Sequence, residues 1–475
     1  MKHVLLLFTC ILSTLTFAQE EWVGFNIEEE TKQLYPKDVI PVVNEDNNQI
    51  AMFFTNRKVV FGKLYGQDKK LIGSINNVII PKKGKVLIGA IYNQETYTLF
   101  FSNNNKSHFS SVSLNFKTGN FNITEDLYIE FKKEKLVEFL VLKNKLHILS
   151  ASKKEDVLIS RTLTNKGLIK TTNYDLSSQA IVNNIDRDYP LYPLLFGNPN
   201  YATIEVINSE VPNSLEQTNA FTKLYVDNNK LTITNNLFNK YTYVISLDLD
   251  SNSYNFNSII NTGYTDNHYG ANSNSFIHKD KLLTIYSTLD HLSFSAYNLD
   301  DFGLIKTFNI NDKEEITFKN TPIIQEGGAF DNYRELEKTS KFLRKITQSK
   351  IGITAYSKNE DLIITLGASV EIDRGGLAMV NFGVFGVVAY GLLIDNFNSY
   401  TRTKSTRISC LFDNDLNHKT GEIPLNQFDQ IKTFQDANTN YNNAHLQTLF
   451  RYQSSYLLGN YNKKTGEYTL TTFDN

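Results

Sequence analysis

Short runs of alternating apolar and polar residues, broken by Gly, Asn and Asp, fill most of this 475-residue chain. "YTLFFSN" and "FSSVSLNF" precede a turn at Lys117, and "LHILSAS" and "VLISRTL" precede one at Asn165. "LTITNN" and "YTYVISLDL" lead to Asp250, and "LLTIYST" and "LSFSAYNL" lead to Asp300. A period of two, rich in β-branched and aromatic residues, sets one face of each run against a core and predicts strands. The repeated unit is strand, short turn, strand, Gly/Asn/Asp turn, strand. Lys-Thr-Gly recurs in the second turn, in "NFKTGNFNI" from Asn115, "NHKTGEI" from Asn417 and "NKKTGEYTL" from Asn462. Gly accepts the positive φ that a tight hairpin demands.

Gln67, Gly119, Lys166, Ser251, Asp301, Gly421 and Gly466 mark these turns. Four of the six intervals between them fall at 45 to 52 residues, and the other two are 85 and 120. A four-stranded propeller blade takes about 40 to 50 residues. The period and strand layout therefore resemble an all-β fold of the β-propeller type. Seven markers predict seven blades, with six or eight also compatible, and a pair of β-sandwiches is the alternative all-β arrangement. The resemblance stops at the pattern: there is no WD dipeptide, kelch glycine pair or sialidase-type Asp-box. Closing a ring calls for an N-terminal strand in the last blade, and "DVIPVV" from Asp38 is the candidate.

The two long intervals predict insertions at about 173–219 and 318–406 in a single domain, 19–475. The first holds "DRDYPLYPLLFGNPNY" (Asp186 to Tyr201), which suits a binding loop or a plain proline-rich connection to an edge strand, "YATIEVI". The second opens with a helical pattern: Asp331 as N-cap, Tyr333, Leu336, Leu343 and Ile346 on one face, and Glu337 four residues before Lys341. It then carries Gly375 to Asn396, which has no charged residue before Asp395. This run interrupts a late blade between its second and third strands. It is either buried by its own chain, or a membrane or self-association contact through Leu377, Val380, Phe382, Val384, Phe385, Val388, Tyr390 and Leu392, or a bilayer span. About 20 apolar residues suffice for a span. However, Gly383, Gly386 and Asn381 interrupt the run, and one span inside a blade would put its flanks on opposite sides of a membrane.

The first 18 residues change where such a fold would work. Lys2 and His3 precede an apolar stretch from Val4 to Phe17, and Ala18 is followed by polar Gln19 and Glu20. This is the layout of a secretory signal peptide cut after Ala18. The expected location is thus periplasmic, outer-envelope or extracellular. Losing the leader removes Cys10 and leaves Cys410 alone, so no internal disulfide is expected, and Cys410 in "RISCLF" reads as a small buried hydrophobe. It also takes the formal charge from −2 to near −3. With no long basic run, nucleic acid is excluded as a natural partner.

Chemistry is sparse. The histidines form no HExxH, HxH or Cys-His metal spacing, and His268, in a loop with Asp266 and Tyr269, reads as an ordinary surface histidine before a catalytic one. "DNDLN" (Asp413 to Asn417) and "DLDSN" (Asp248 to Asn252) begin like calcium loops but lack the following Gly and distal Glu, so they read as turns. There is no nucleophile elbow, phosphate-binding loop or dinucleotide fingerprint. The expectation is an exported, non-enzymatic binding or scaffold propeller without cofactor, engaging a protein or glycan partner and associated with the envelope through 375–396. The alternative is a glycan-active hydrolase or lyase with acidic residues in the central channel.

Overall fold

The computed structural model describes residues 19–27, 35–164, 167–197, 204–266, 270–327, 333–369, 393–438, 441 and 446–474. Among these residues the strands form seven sheets of four or five strands. The first four in chain order begin with Asp38–Asn44, Val86–Asn93, Glu134–Leu142 and Thr222–Asp227. The last three begin with Asn272–His278, Lys350–Lys358 and Gln447–Tyr452. Leading strands meet directly between the first and second, second and third, fifth and sixth, and seventh and first sheets. The last strands, such as Leu71–Ile79 and Phe121–Leu127, are largely exposed at the rim.

The core is divided among the gaps between sheets. One cluster joins the first and second sheets through Phe53, Tyr97 and Phe101, and the next joins the second and third through Phe100, Phe109 and Phe139. Another joins the third and fourth through Leu149, Leu224 and Tyr243. A larger one runs through the fourth, fifth and sixth with Tyr225, Phe276, Phe294 and Ile364. Packing each sheet's two apolar faces between two neighbours is what a closed ring of sheets achieves, and the chain is a β-propeller.

Closure rests on the seventh sheet. Its outer strand is Glu21–Asn26, paired antiparallel with Glu467–Phe473. Trp22 from this strand is buried and meets Tyr65 of the first sheet at 5.9 Å and Tyr452 of the seventh at 5.8 Å, both edge-on. Phe54 stacks its edge on Tyr468 at 5.1 Å across the same seam. The expected closing strand, "DVIPVV", is instead the innermost strand of the first sheet, because its nearly unbroken apolar run suits a position buried on both faces. Inside the seventh sheet, Gly459 lies under the hydrogen bond between Tyr468 Oη and Thr448 Oγ1, 2.6 Å long, and a Cβ there would strike both groups.

Two sheets depart from the pattern. In the sixth, the strands run Lys350–Lys358, Asp361–Ser369, Ser405–Phe412, and the outer place is taken by the earlier Ile323–Glu326, with Arg334–Leu336 beyond it. The helix expected from Asp331 is therefore corrected. Leu336 sits in a strand, Tyr333 is exposed, and the helix (α3 below) starts at Thr339, where Phe342, Leu343 and Ile346 turn inward. Pairing with Ile323–Glu326 outcompetes helix formation for the residues before it. In the fourth sheet, Glu205–Ile207 pairs parallel to the leading strand on its inner side. The stretch read as an outer-edge strand, "YATIEVI", thus contributes an inner strand that enters the central channel.

Among the described residues five helices serve the ring: α1 (Leu191–Phe196), α2 (Leu215–Thr218), α3 (Thr339–Thr347), α4 (Ile394–Arg402) and α5 (Gln427–Ala437). The run around Pro190 forms α1, which buries Leu191, Leu194, Leu195 and Phe196 between the third and fourth sheets. Between the sixth and seventh sheets, α4 and α5 act as a wedge. Phe397, Phe428 and Ile431 pack with Leu449, Tyr456 and Leu458 of the seventh sheet, and α2 links α4 to the sixth.

Candidate functional site

Each leading strand turns back through a hairpin on the same face of the ring. Six of these turns have two residues, set by the pairs Asn93↔Thr96, Leu142↔Lys145, Asp227↔Lys230, His278↔Lys281, Lys358↔Asp361 and Tyr452↔Ser455. Gln94, Lys143, Asn144, Asn228, Lys279, Asn359 and Gln453 hold φ between 44° and 56° there, and Asn48 does so in the longer first turn. A left-handed first turn residue matches the twist of a hairpin, which is why Asn and other polar residues occupy these places.

Together these turns rim a bowl of about 2030 Å³ over the central channel. Asn208 to Val211 and Leu393 floor it. The floor is fixed: Glu210 pairs with Arg451 at 2.6 Å, and the Asn213 side chain donates to the Asn208 and Val211 carbonyls at 2.8 Å. Leu393 is buried, and its N–H bonds the Leu449 carbonyl at 2.6 Å. The rim carries exposed Glu45, Asp46, Asp227 and Asp300, which have no ion-pair partner among the described residues, against the exposed amines of Lys230 and Lys279. Tyr92 and Tyr254 add aromatic surface. In the wall, Tyr225 and His278 are each 5% exposed; the Tyr225 hydroxyl lies against Thr234 and the Ile277 backbone, and the His278 ring against the Ser209 backbone. His278 Nε2 lies 2.8 Å from Ser357 Oγ, and burial lowers its pKa to about 4, so the imidazole is neutral at pH 7.

Below the floor the channel gathers acidic side chains. Glu205 stands in register with Lys223. Lys223 is fully buried, donates to the Ala220 carbonyl at 2.6 Å and to Asn274, and is pushed down to about 7 by burial. Burial, then the charges of Glu138, Glu216 and Asp395, push Glu205 up to about 7. Burial drives Glu138 up to about 7 against the opposing Phe139 N–H and Lys106 charge, and burial raises Asp395.

The residues singled out from the sequence fare unevenly. Leu377, Val380, Phe382, Val384, Phe385, Val388, Tyr390 and Leu392 lie outside the described residues, as do Met1 to Ala18, Lys166, His268 and His445. The end of the apolar run is described: Leu393 joins the core and α4 begins at Ile394. Cys410 is fully buried in its strand, and burial raises its thiol. Asp413 and Asp248 cap their own turns, accepting from Asp415 and Asn417, and from Asp250 and Ser251. Among the described residues no three His, Cys, Asp or Glu converge to hold a metal, and no helix is long and apolar enough to cross a membrane. The bowl itself was invisible to sequence reasoning, since each turn contributes only one or two ordinary polar residues.

No protein-family model and no curated protein matches the chain. Among solved structures it is similar to the Dos1 propeller, at 10% identity and TM-score 0.33 over 96% of this chain and 95% of that one. It is also similar to the WD40 domain of SCAP from fission yeast, at 10% identity and TM-score 0.29 over 96% and 91%. A mutant Aleuria aurantia lectin in complex with α-methyl-L-fucoside aligns at 10% identity and TM-score 0.24 over 71% and 89%.

Proposed function

We propose that this protein is an exported, non-enzymatic binding or scaffold propeller whose ligand occupies the bowl formed by the inner hairpin turns. The observation that carries the reading is the bowl itself: about 2030 Å³, rimmed by polar side chains and aromatic rings from several sheets, over a floor pinned by Glu210–Arg451. Loops displayed by a rigid scaffold are where binding is built. Export fits the placement of the closing strand, since a cut after Ala18 spares Glu21–Asn26. Envelope association through 375–392 belongs to the same proposal.

The test is to probe the purified protein against glycan and peptide arrays beside a Tyr92→Ala/Tyr254→Ala variant. A ligand retained by the native bowl and lost by the variant supports the reading. Ligands unaffected by the variant, or consumed during incubation, refute it. Mass analysis of secreted protein checks cleavage after Ala18. Deleting 375–390, which spares Leu393, should abolish co-sedimentation with membranes if that run is the envelope contact.

A second reading, a glycan-active hydrolase, draws on Glu138 and Glu205, whose raised carboxyls suit acid catalysis at neutral pH. It requires polysaccharide cleavage that Glu205→Gln abolishes.

A further inference from the structure

We propose that Gln19 becomes the first residue of the exported chain and cyclises to a pyroglutamyl lactam, which protects the strand that closes the ring from aminopeptidases. The inference rests on the leader cut after Ala18 proposed above and goes beyond it in naming a modification and its role. The cut would free the α-amine of a glutamine, and a glutamine side chain can trap its own amine. The α-nitrogen attacks the side-chain Cδ and the N–Cδ bond closes the lactam ring. The Cδ–Nε2 bond breaks, a proton passes from the amine to Nε2, and ammonia leaves. The step consumes no oxidant, reductant or co-reactant. Its geometric requirement is a first residue whose backbone and side chain are both free to fold onto each other.

Gln19 meets that requirement: it is exposed and makes no hydrogen bond among the described residues. Order begins at the next residue. The Glu20 carbonyl accepts from the Thr472 N–H at 2.9 Å. Glu20 Oε1 lies 3.0 Å from Lys69 Nζ, in the turn between the third and fourth strands of the first sheet, so this ion pair crosses the seam. Glu21 then pairs with Thr471, and Trp22 is buried. An outer strand at a chain terminus frays from its free end. Each residue trimmed there strips one contact from the seam and brings the free end closer to Trp22. Aminopeptidases act on a free α-amine, and the lactam has none. Cyclisation also removes a cation, charged below about pH 8, that would compete with Lys69 for the adjacent Glu20 carboxylate.

The experiment expresses the full chain with its leader and analyses the secreted protein by mass spectrometry. Its N-terminal peptide should begin at Gln19 and be about 17 Da lighter than the open form. An isotope-labelled synthetic peptide of residues 19–22, carried through the same work-up, reports cyclisation caused by handling. A broad-specificity aminopeptidase should leave the native chain intact. It should trim the chain once pyroglutamyl peptidase has removed the lactam, and it should trim a Gln19→Asn variant, whose shorter side chain closes no such ring. A secreted chain that begins at Gln19 with an open amine, or is cyclised no further than the labelled peptide, overturns the proposal and leaves export standing. A chain cut at another position does the same, whereas a retained leader removes the export reading as well. Equal fates for the native and Gln19→Asn chains in aminopeptidase overturn the protective role.

Discussion

Replacing Trp22 with Ala attacks the seam where the ring closes. Trp22 is the sole tryptophan of the chain and is 6% exposed, held between Tyr65 and Tyr452 at 5.9 and 5.8 Å. Truncating a buried Trp costs about 3–5 kcal/mol from lost transfer energy and the cavity left behind. The two edge-on ring contacts account for roughly 1–3 kcal/mol of that. Trp22→Phe keeps part of the ring contact and should cost about 1–2 kcal/mol. The backbone pairing of Glu21–Asn26 with Glu467–Phe473 is untouched by either change. Urea unfolding followed by far-UV circular dichroism measures the loss, and in the parent protein Trp22 emission tracks the seam directly. Tyr128→Ala, at a side chain 85% exposed, is the control and should stay within about 0.5 kcal/mol. A Trp22→Ala protein within about 1 kcal/mol of its parent would refute the claim that this seam holds the ring.

Arg161 donates two hydrogen bonds of 2.8 Å to Glu134, and both side chains are nearly buried. Glu134→Ala should cost about 3–5 kcal/mol in urea unfolding, and Glu134→Leu/Arg161→Met should recover most of it. Gly459→Ala should cost about 2 kcal/mol or more, since its Cβ must displace Tyr468 or Thr448; adding Tyr468→Phe should restore part of the loss. Glu138 has a native carboxyl raised to about 7 from 4.5. Its contribution to stability is therefore complete below the unfolded value and lost as pH rises through 7. Glu138→Gln should remove that decline between pH 5 and 8, read from urea midpoints, and an unchanged slope would contradict the assignment.

Much of the repeat was readable because its signals are local. Gly119 and Gly466 do adopt positive φ, at 71° and 69°, the first between the third and fourth strands of its sheet and the second between the second and third strands of the seventh. Gln67, Ser251 and Asp301 fall in turns equivalent to that of Gly119. Gly421 misled: it follows the third strand of the sixth sheet, but the outer place there is filled by Ile323–Glu326, far earlier in the chain. The helix face of Phe342, Leu343 and Ile346 was half legible, its start misplaced because strand pairing claimed Arg334–Leu336.

Alternation and turn chemistry by themselves determined an all-β repeat, the approximate length of its unit, and the absence of a recognisable metal or nucleotide motif. Only the tertiary structure decided that Glu21–Asn26 closes the ring and that Glu205–Ile207 enters the channel. It alone gathered Asp46, Tyr225, Asp227, His278 and Asp300 around one bowl. A hairpin is encoded by residues a few positions apart, so composition and period betray it. Glu21 meets Thr471, and the bowl draws single residues from turns a whole sheet apart, through packing that no local window of sequence contains.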